Sequence, residues 1–341
     1  MNIKQLPKYE DIRMAGKRVL VRVDFNVPAK NNEIVDDFRI QKALPLIKDL
    51  LALHARVVLL SHLTERKTHR SFSRLIPALE GICQIPIAFA PDIAAARVLQ
   101  AKSAPLILLE NLRVFPGEEQ NDPAFAADLA SLGDVSINED FSQSHRPYAS
   151  LVTLPRLLPS FAGHLFQNEI EKLSEALHPP HPFLLLLGGV KFQTKLAVLQ
   201  HFLTIADRIF IGGALPYSAA VPRASNIFLP LDTITRDHRV MDVGPKTLDA
   251  LEKEIARAAM VLWNGPLGSI EEGFDAGTNR LAAALADSQA KVIVGGGDTV
   301  AAIRRLGLAD RFYHVSTGGG AMLIFLATGT LPAIDALLQK R

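Results

Sequence analysis

The stretch that decides the fold is Arg18-Val-Leu-Val-Arg-Val-Asp-Phe-Asn26, an apolar strand pattern that ends in a cation, an anion and an amide. A buried strand normally ends in turn residues, whereas this one brings charges to the edge where α/β sheets bind ligands. Three more strand patterns of the first half end in the same way, at Ser61-His62, at Glu110-Asn-Leu-Arg113 and at Asn138-Glu-Asp140 with His145-Arg146 behind it. Four such strand ends predict a cationic cleft for an acidic small molecule.

The composition favours a soluble globular protein and excludes several other classes. A chain of 341 residues is long enough for about two domains with large cores. A net charge of +2 gives no overall basic field, so we expect neither a nucleic-acid partner nor a membrane partner. The one cysteine, Cys83, rules out an intrachain disulfide framework and is expected in the core. The N-terminal residues lack the apolar run of a signal peptide, so we expect a cytoplasmic protein.

Short apolar runs alternate with amphipathic helical patterns along both halves of the chain. This alternation predicts an α/β fold with two doubly wound, Rossmann-like parallel-sheet domains joined by a helix. We expect strands near residues 18–24, 57–61, 84–89, 106–110 and 134–138, and then near 183–188, 208–211, 226–229, 260–263, 291–294 and 312–316. The expected domains are residues 1–160 and 178–329, with an interdomain helix at 161–177 and a tail, 330–341, that packs back on the first domain.

Glycine ends the strands of the second half, where the first half uses charged side chains. The turns are Gly188-Gly189, Gly212-Gly213, Gly265, Gly295-Gly-Gly297 and Gly318-Gly-Gly320. Glycine lets backbone N–H groups approach a phosphate, and the helix that follows adds its positive dipole end. Lys191 and Lys195 are four residues apart, so both can face one anion. The pattern suits a transferase that brings a nucleotide and an acidic acceptor together by hinge closure.

Two other nucleotide-binding classes are not supported by the motifs. The chain contains no Gly-x-x-x-x-Gly-Lys-Ser/Thr loop, so a P-loop enzyme is not expected. It contains no Gly-x-Gly-x-x-Gly fingerprint either, which leaves a doubly wound dehydrogenase as a remote alternative.

The motifs, taken in order, resemble those of the phosphoglycerate kinase family nearly from end to end. They are Val21-Arg-Val-Asp-Phe-Asn-Val-Pro28, Asp37-Phe-Arg-Ile40, Ser61-His-Leu63, Leu109-Glu-Asn-Leu-Arg113, Leu132-Gly-Asp134, His145-Arg146, Gly188-Gly-Val-Lys191, Trp263-Asn-Gly-Pro266, Gly295-Gly-Gly-Asp-Thr299 and His314-Val-Ser-Thr-Gly-Gly-Gly-Ala321. The resemblance implies a hinge-bending, monomeric kinase of glycolysis and gluconeogenesis. It would transfer a phosphoryl group reversibly between 1,3-bisphosphoglycerate and ADP, giving 3-phosphoglycerate and ATP, with Mg²⁺ bound to the nucleotide.

The resemblance also implies roles for individual residues. Phosphoglycerate would be bound by Asp24, Asn26, Arg39, His62, Arg66, Arg113 and Arg146. The nucleotide would be bound by Gly189, Lys191, Lys195, Gly213, Asn264, Pro266, Glu271, Gly297, Asp298 and Thr299, with Asp298 meeting the Mg²⁺ ion. The phosphoryl group in transfer would be neutralised by Arg39, Lys191, Gly297 and Gly319. The reaction needs no general base, because both nucleophiles are already anions at neutral pH.

The chain departs from the family pattern in several places. Glu65 stands where the family has an arginine, and Arg66 follows one place later. Thr194 replaces an acidic residue two places after Phe192. The family's Asn-Asp-Ala-Phe-Gly-Thr-Ala-His-Arg reads Asn138-Glu-Asp-Phe-Ser-Gln-Ser-His-Arg146 here. Between Gly213 and Gly244 we expect a further helix and a β-rich excursion to be missing, which would thin one wall of the nucleotide pocket.

These departures leave two functions open. The first is an active phosphoglycerate kinase of reduced size, which the retained Arg39, Lys191, Lys195 and Asp298 favour. The second is a catalytically weak relative that acts as a binding or regulatory protein, which the displaced arginine and the shortened region would allow. The sequence leaves the catalytic rate, the nucleotide preference and the oligomeric state open.

Overall fold

The computed structural model describes residues 5–64, 71–190, 192–218 and 220–339. The chain divides into two compact units, Met1–Ile170 with Thr330–Arg341, and Glu171–Gly329. Each unit contains a six-stranded parallel sheet with helices beside it. The predicted fold class, α/β with two doubly wound parallel sheets, is therefore confirmed.

The sheet of the first unit has the strand order β5-β6-β4-β1-β7-β8. The strands of the unit are β1 (Arg18–Arg22), β2 (Ala29–Lys30), β3 (Glu33–Ile34), β4 (Arg56–Leu60), β5 (Ala88–Ala90), β6 (Leu106–Leu109), β7 (Val135–Asn138) and β8 (Ser160–Ala162), of which β2 and β3 form a separate antiparallel pair. The helices are α1 (Phe38–Ala52), α2 (Ile76–Cys83), α3 (Ile93–Ala101), α4 (Pro116–Glu119), α5 (Pro123–Ala130), α6 (Leu154–Leu157) and α7 (His164–Leu177), and the unit boundary lies within α7.

Both faces of this sheet are buried, which explains its apolar strands. Val19 and Val21 of β1 lie in one hydrophobic cluster, together with Leu46 of α1, and Leu20 lies in a second cluster with Leu129 of α5. All three β1 side chains are fully buried. Such strands have no solvent face, so a polar residue can leave the core only at a strand end.

The sheet of the second unit has the order β11-β10-β9-β14-β15-β16, which is the strand order of dinucleotide-binding folds. The strands are β9 (Phe183–Leu187), β10 (Arg208–Ile211), β11 (Ile227–Phe228), β12 (Thr233–Arg236), β13 (Arg239–Val243), β14 (Met260–Asn264), β15 (Lys291–Gly295) and β16 (His314–Val315). The helices are α8 (Phe192–Phe202), α9 (Pro245–Ile255), α10 (Ala276–Asp287), α11 (Gly297–Arg305) and α12 (Gly319–Thr328).

The last helix, α13 (Pro332–Leu338), belongs to the first unit. Its Ala333 and Ala336 pack with Leu151 and Val152. No single helix of the described chain is long and apolar enough to cross a membrane, although the bent pair α12 and α13 reaches that length and composition together.

Two expectations from the sequence are wrong. The helix expected to begin at residue 161 begins at His164, because Ser160–Ala162 instead pair with Ser136–Asn138 as an edge strand. The β-rich segment expected to be missing before Gly244 is partly present, since β12 and β13 form an antiparallel hairpin. Its strand β12 is largely exposed, so no apolar run marked it in the sequence.

The first turn of α7 is bound to a buried carboxylate. Glu139, directly after β7, is 1% exposed and accepts hydrogen bonds from the backbone N–H of Leu165 at 3.0 Å and of Phe166 at 3.4 Å. Burial raises the pKa of Glu139 to about 8, although these two amides favour the charged form. The carboxyl group therefore gains a proton on folding at neutral pH.

This proton makes stability depend on pH. A carboxyl group in an unfolded chain titrates near pH 4.3, so between about pH 5 and pH 8 the folded protein binds more protons at Glu139 than the unfolded chain does. The stabilisation is present at acidic pH and is lost as the pH rises through about 8. We expect Glu139→Gln, which cannot ionise, to flatten the fall in Tm between pH 5 and pH 8.5, as measured by calorimetry. Glu33→Gln, at an exposed position, should keep the wild-type pH dependence; equal slopes in E139Q and wild type would contradict the prediction.

Candidate functional site

Polar groups lie together at one point in each sheet, the point where successive strands of the chain stop being added on one side of the first strand and are added on its other side. We call this the reversal point. This reversal lies between β1 and β7 in the first unit and between β9 and β14 in the second. The connections diverge at such points and leave a crevice beyond the carboxyl ends of the strands, where open α/β sheets bind ligands. Residues 22–26 and 138–142 meet at the first reversal, and residues 187–189 and 264–266 meet at the second.

Asp24, just beyond β1, is a buried carboxylate that forms an ion pair with an arginine side chain. The Arg39 Nη1 atom, in the first turn of α1, lies 2.9 Å from Asp24 Oδ2 and donates to the Asn26 carbonyl at 3.2 Å. The Ser142 hydroxyl also donates to Asp24, at 2.6 Å. Burial and the Asp140 carboxylate raise the pKa of Asp24, and Arg39 opposes that rise. The structure thus brings Asp24, Asn26 and Arg39 together.

A second buried ion pair, between Arg22 and Asp140, lies beside the first. Arg22 Nη1 is 2.8 Å from Asp140 Oδ2, and Arg22 Nη2 is 3.3 Å from the His62 Nδ1 atom. The His62 ring is 1% exposed, and its Nε2 atom has no hydrogen-bond partner in the described part of the chain. Burial, with the charges of Arg22, Arg113 and Arg39, holds the pKa of His62 well below its ordinary value, so the ring is neutral.

Three residues of this network, Arg22, Asp140 and Ser142, were not predicted from the sequence as members of the site. A signal was present for each, since Arg22 is the charged residue that ends β1. Asp140 and Ser142 stand where the family motif that this chain resembles has an alanine and a glycine. What the sequence did not reveal is that residues 118 positions apart lie in contact.

The other predicted cations of the first unit differ in their surroundings. Arg113, after β6, donates from Nη2 to Gln143 Oε1 at 3.1 Å and lies 3.3 Å from the Glu119 carboxylate. Arg146 is exposed in the turn after β7. Arg66 lies outside the described residues, as does Glu65.

The first reversal point also contains a candidate metal-binding triad. Ligand atoms of Asp24, His62 and Asp140 lie within 4.8 Å of one another. Both carboxylates already bind guanidinium groups, Asp24 that of Arg39 and Asp140 that of Arg22. A divalent cation here would compete with two guanidinium groups for the same carboxylate oxygens, so we do not assign a metal to this triad.

The second reversal point is built mainly from backbone. The Gly188 N–H donates to the Asn264 carbonyl at 3.0 Å, and the Gly189 N–H donates to the Pro266 carbonyl at 2.7 Å. The Lys195 ammonium, from α8, donates to the Gly188 carbonyl. Four predicted nucleotide residues therefore lie in one group, namely Gly189, Lys195, Asn264 and Pro266.

Two helix N-termini lie after the neighbouring strands β15 and β16. They begin at Gly297 and Gly319, where a Cβ would meet no atom within 4 Å, so a ligand can approach this backbone closely. Asp298 is exposed in the first turn of α11, and the Thr299 hydroxyl beside it is buried with no hydrogen-bond partner among the described residues. Unpaired N–H groups, a positive dipole end and an unsatisfied hydroxyl suit a phosphate.

Two predicted nucleotide residues lie elsewhere. Glu271 is exposed in the short turn Ile270–Glu272. Lys191 lies outside the described residues.

With this geometry in hand, comparison with known proteins settles the family. The family model for phosphoglycerate kinase matches residues 9–227 and 216–329. The chain belongs to the phosphoglycerate kinase family. The two matches overlap at residues 216–227, inside the segment that the sequence predicts to be shortened.

Individual phosphoglycerate kinases agree with this family assignment. That of Rubrobacter xylanophilus is 36% identical over an alignment of 384 positions, which covers 97% of each chain. The structure of the enzyme from Coxiella burnetii has 31% identity and a TM-score of 0.81, covering 97% of this chain and 98% of that one. The structure from Pyrococcus horikoshii has 27% identity and a TM-score of 0.87 with the same coverage.

The glycine at position 213 is required by a close backbone contact. Gly213 has φ +64°, and a Cβ there would lie 2.5 Å from the Gly189 nitrogen. We expect Gly213→Ala to lower the free energy of unfolding of the second unit by about 3 kcal/mol, from strain and from the displaced Gly189 turn. Denaturant unfolding followed by fluorescence of Trp263, the one tryptophan of the chain, measures this unit.

Gly273 supplies the matched control for this variant. It also has a positive φ, +82°, but a Cβ there would meet no atom within 4 Å. Gly273→Ala should therefore cost only about 1 kcal/mol of left-handed strain. Equal losses in the two variants would show that the contact with Gly189 is unimportant.

Proposed function

We propose that this protein is an active phosphoglycerate kinase, which transfers a phosphoryl group reversibly between 1,3-bisphosphoglycerate and ADP. The observation that carries the proposal is the ion pair of the buried Asp24 with the partly exposed Arg39 at the sheet reversal of the first unit, with the neutral His62 beside it. As an enzyme of glycolysis it would act as a cytoplasmic monomer on small molecules. Loss of catalysis would remove the need to keep the Asp24 carboxylate buried, which is costly even with a cation beside it.

We assign phosphoglycerate to the first reversal point. Its carboxylate and phosphate carry the negative charge that Arg39, Arg113 and Arg146 would attract, with Arg66 as a further candidate. Asp24 and Asn26 add oxygen acceptors for its hydroxyl group. His62 is held neutral, so it would act as a hydrogen-bond donor rather than as a counter-ion.

We assign the nucleotide to the second reversal point and to the two helix N-termini. The turn of Gly189 and Gly213, with Lys195, Asn264 and Pro266, would form one side of the site. The phosphates would lie against the N–H groups at Gly297 and Thr299, and Glu271 is the residue that the family resemblance assigns to the ribose.

Asp298 fits the Mg²⁺ ion that accompanies the nucleotide. Its carboxylate is exposed beside the N-terminus of α11, where phosphates would lie, and Mg²⁺ prefers oxygen ligands shared between carboxylate and phosphate. When bound, Mg²⁺ would neutralise phosphate oxygens.

The protein's contribution to the chemistry is electrostatic. A phosphoryl group passing between a carboxylate and a diphosphate is surrounded by negative oxygens, and no proton has to be removed. Arg39, Lys191 and the amides at Gly297 and Gly319 would offset this repulsion in the transition state.

A coupled assay with 3-phosphoglycerate and MgATP tests the proposal. We expect steady turnover that depends on both substrates and on Mg²⁺. Binding of both substrates, seen by calorimetry, without turnover in either direction would instead support the catalytically weak regulatory protein.

Arg39 is the residue whose loss should affect catalysis most clearly. Arg39→Ala removes a transition-state donor and leaves Asp24 buried without its cation, so kcat should fall about 10²–10³-fold in the same assay. Arg18→Ala is the control, since Arg18 lies at the opposite end of β1 and pairs with Asp134 at 2.6 Å. Its kcat should stay within about twofold of wild type. An Arg39→Ala enzyme with half the wild-type kcat would remove Arg39 from the mechanism.

A further inference from the structure

The Arg22 guanidinium is enclosed in the protein and occupied on every nitrogen. The residue is 2% exposed. Its Nε donates to the Ser150 hydroxyl at 3.1 Å, and its Nη1 donates to both the Val23 carbonyl and Asp140 Oδ2 at 2.8 Å. Its Nη2 lies 3.3 Å from His62 Nδ1. A cation bound in this way is not available to a substrate, so its effect must pass through a neighbour.

The contact with His62 determines which ring nitrogen carries the proton. A guanidinium can only donate, so Nδ1 of the neutral ring must accept this hydrogen bond and the hydrogen must be on Nε2. The Asp140 carboxylate, 3.8 Å from Nδ1, is too distant to accept a hydrogen bond from it and does not favour the other tautomer.

The Nε2–H group is then a donor without an acceptor. This atom is buried and has no partner among the described residues. Buried polar groups are nearly always hydrogen-bonded, so this unpartnered donor marks the place of a ligand oxygen. A ring nitrogen of His62 lies within 4.8 Å of an Asp24 carboxylate oxygen, so the ring belongs to the same end of the sheet.

We propose that Arg22, held by Asp140, is a positioning residue that fixes His62 in the Nε2–H tautomer, so that His62 donates to an anionic oxygen of the substrate. The proposal rests on the proposed function only for the identity of that substrate, phosphoglycerate. Asp140 stands where the family motif that this chain resembles has an alanine. Its carboxylate both neutralises Arg22 and holds it against His62.

The tautomer can be observed in the free protein. Long-range ¹H–¹⁵N correlation spectra of histidine-labelled protein distinguish the two neutral tautomers, and a His62→Ala variant identifies the His62 signals. We expect Nε2–H alone in wild type and a mixture of tautomers in Arg22→Lys, whose ammonium can pair with Asp140 but lacks the forked second donor. Arg18→Lys, on the same strand, should leave the signals unchanged. An Nδ1–H ring in wild type, or an unchanged ring in R22K, overturns the proposal.

Enzyme kinetics then test whether the Nε2–H tautomer of His62 strengthens binding of 3-phosphoglycerate. R22K should raise KM for 3-phosphoglycerate by the inverse of the Nε2–H fraction seen in its spectra, on the order of two- to tenfold, because only that fraction of the rings can donate to the substrate. Its kcat should stay within about twofold of wild type. In the His62→Ala background R22K should change KM by less than about twofold, because residues that act through one contact are not additive. Additive effects of the two substitutions overturn the proposal, since Arg22 would then act independently of His62.

A second variant guards against misfolding of R22K. Arg22→Met with Asp140→Ala removes both buried charges together, which is often tolerated where removal of one is not. It should show the same tautomer mixture and the same rise in KM, and a pure Nε2–H ring in this double variant overturns the proposal. If the wild type shows no kinase turnover, the proposed function fails, whereas the spectra of the free protein still decide the role of Arg22.

Discussion

The burial of both faces of two parallel sheets is the constraint on which the rest of this structure depends. Val19 and Val21 face one core and Leu20 faces the other, so β1 has no solvent side along its length. Polar side chains are confined to the two ends of the strand, with Arg18 at the amino end and Arg22 at the carboxyl end. Where the connections from two neighbouring strands run in opposite directions, the carboxyl ends of those strands border a crevice. The order of the strands in the sheet therefore determines where a ligand can bind.

The two units satisfy this constraint with different chemical groups. At the first reversal point the charges are side chains, and each buried charge has a partner, Arg22 with Asp140 and Asp24 with Arg39. At the second, the groups presented are mainly backbone N–H and C=O, brought close together by glycines. Side chains can recognise the particular shape of an acid, whereas backbone amides bind any phosphate that reaches them. This difference supports our proposal that phosphoglycerate binds at the first reversal point and the nucleotide at the second.

The sequence could predict the features that follow from local pattern. The alternation of strands and helices predicted the two sheets, and the charged or glycine-rich strand ends indicated the two sheet edges to which the site is assigned in our proposal. Features that depend on distant pairing were missed. Residues 160–162 looked like the start of α7 because only their pairing with β7 makes them a strand. The β12–β13 hairpin was missed because its exposed positions, such as Ile234, follow no core pattern. The network around Asp140 joins elements more than a hundred residues apart.

Asp140, which stands where the family motif has an alanine, shows that the effect of one charge on a ligand depends on the partner of that charge. A carboxylate added alone beside Asp24 would repel an acidic substrate. The negative charge of Asp140 already acts on its neighbour, since it raises the pKa of Asp24. Asp140 is instead matched at 2.8 Å by Arg22, which is itself too enclosed to contact a ligand. The pair therefore adds almost no net charge as seen from the crevice. An acidic ligand would therefore be attracted by cations outside this pair, of which Arg39 and Arg113 are partly exposed. The buried pair of Arg22 and Asp140 instead fixes the position of its neighbours, such as His62.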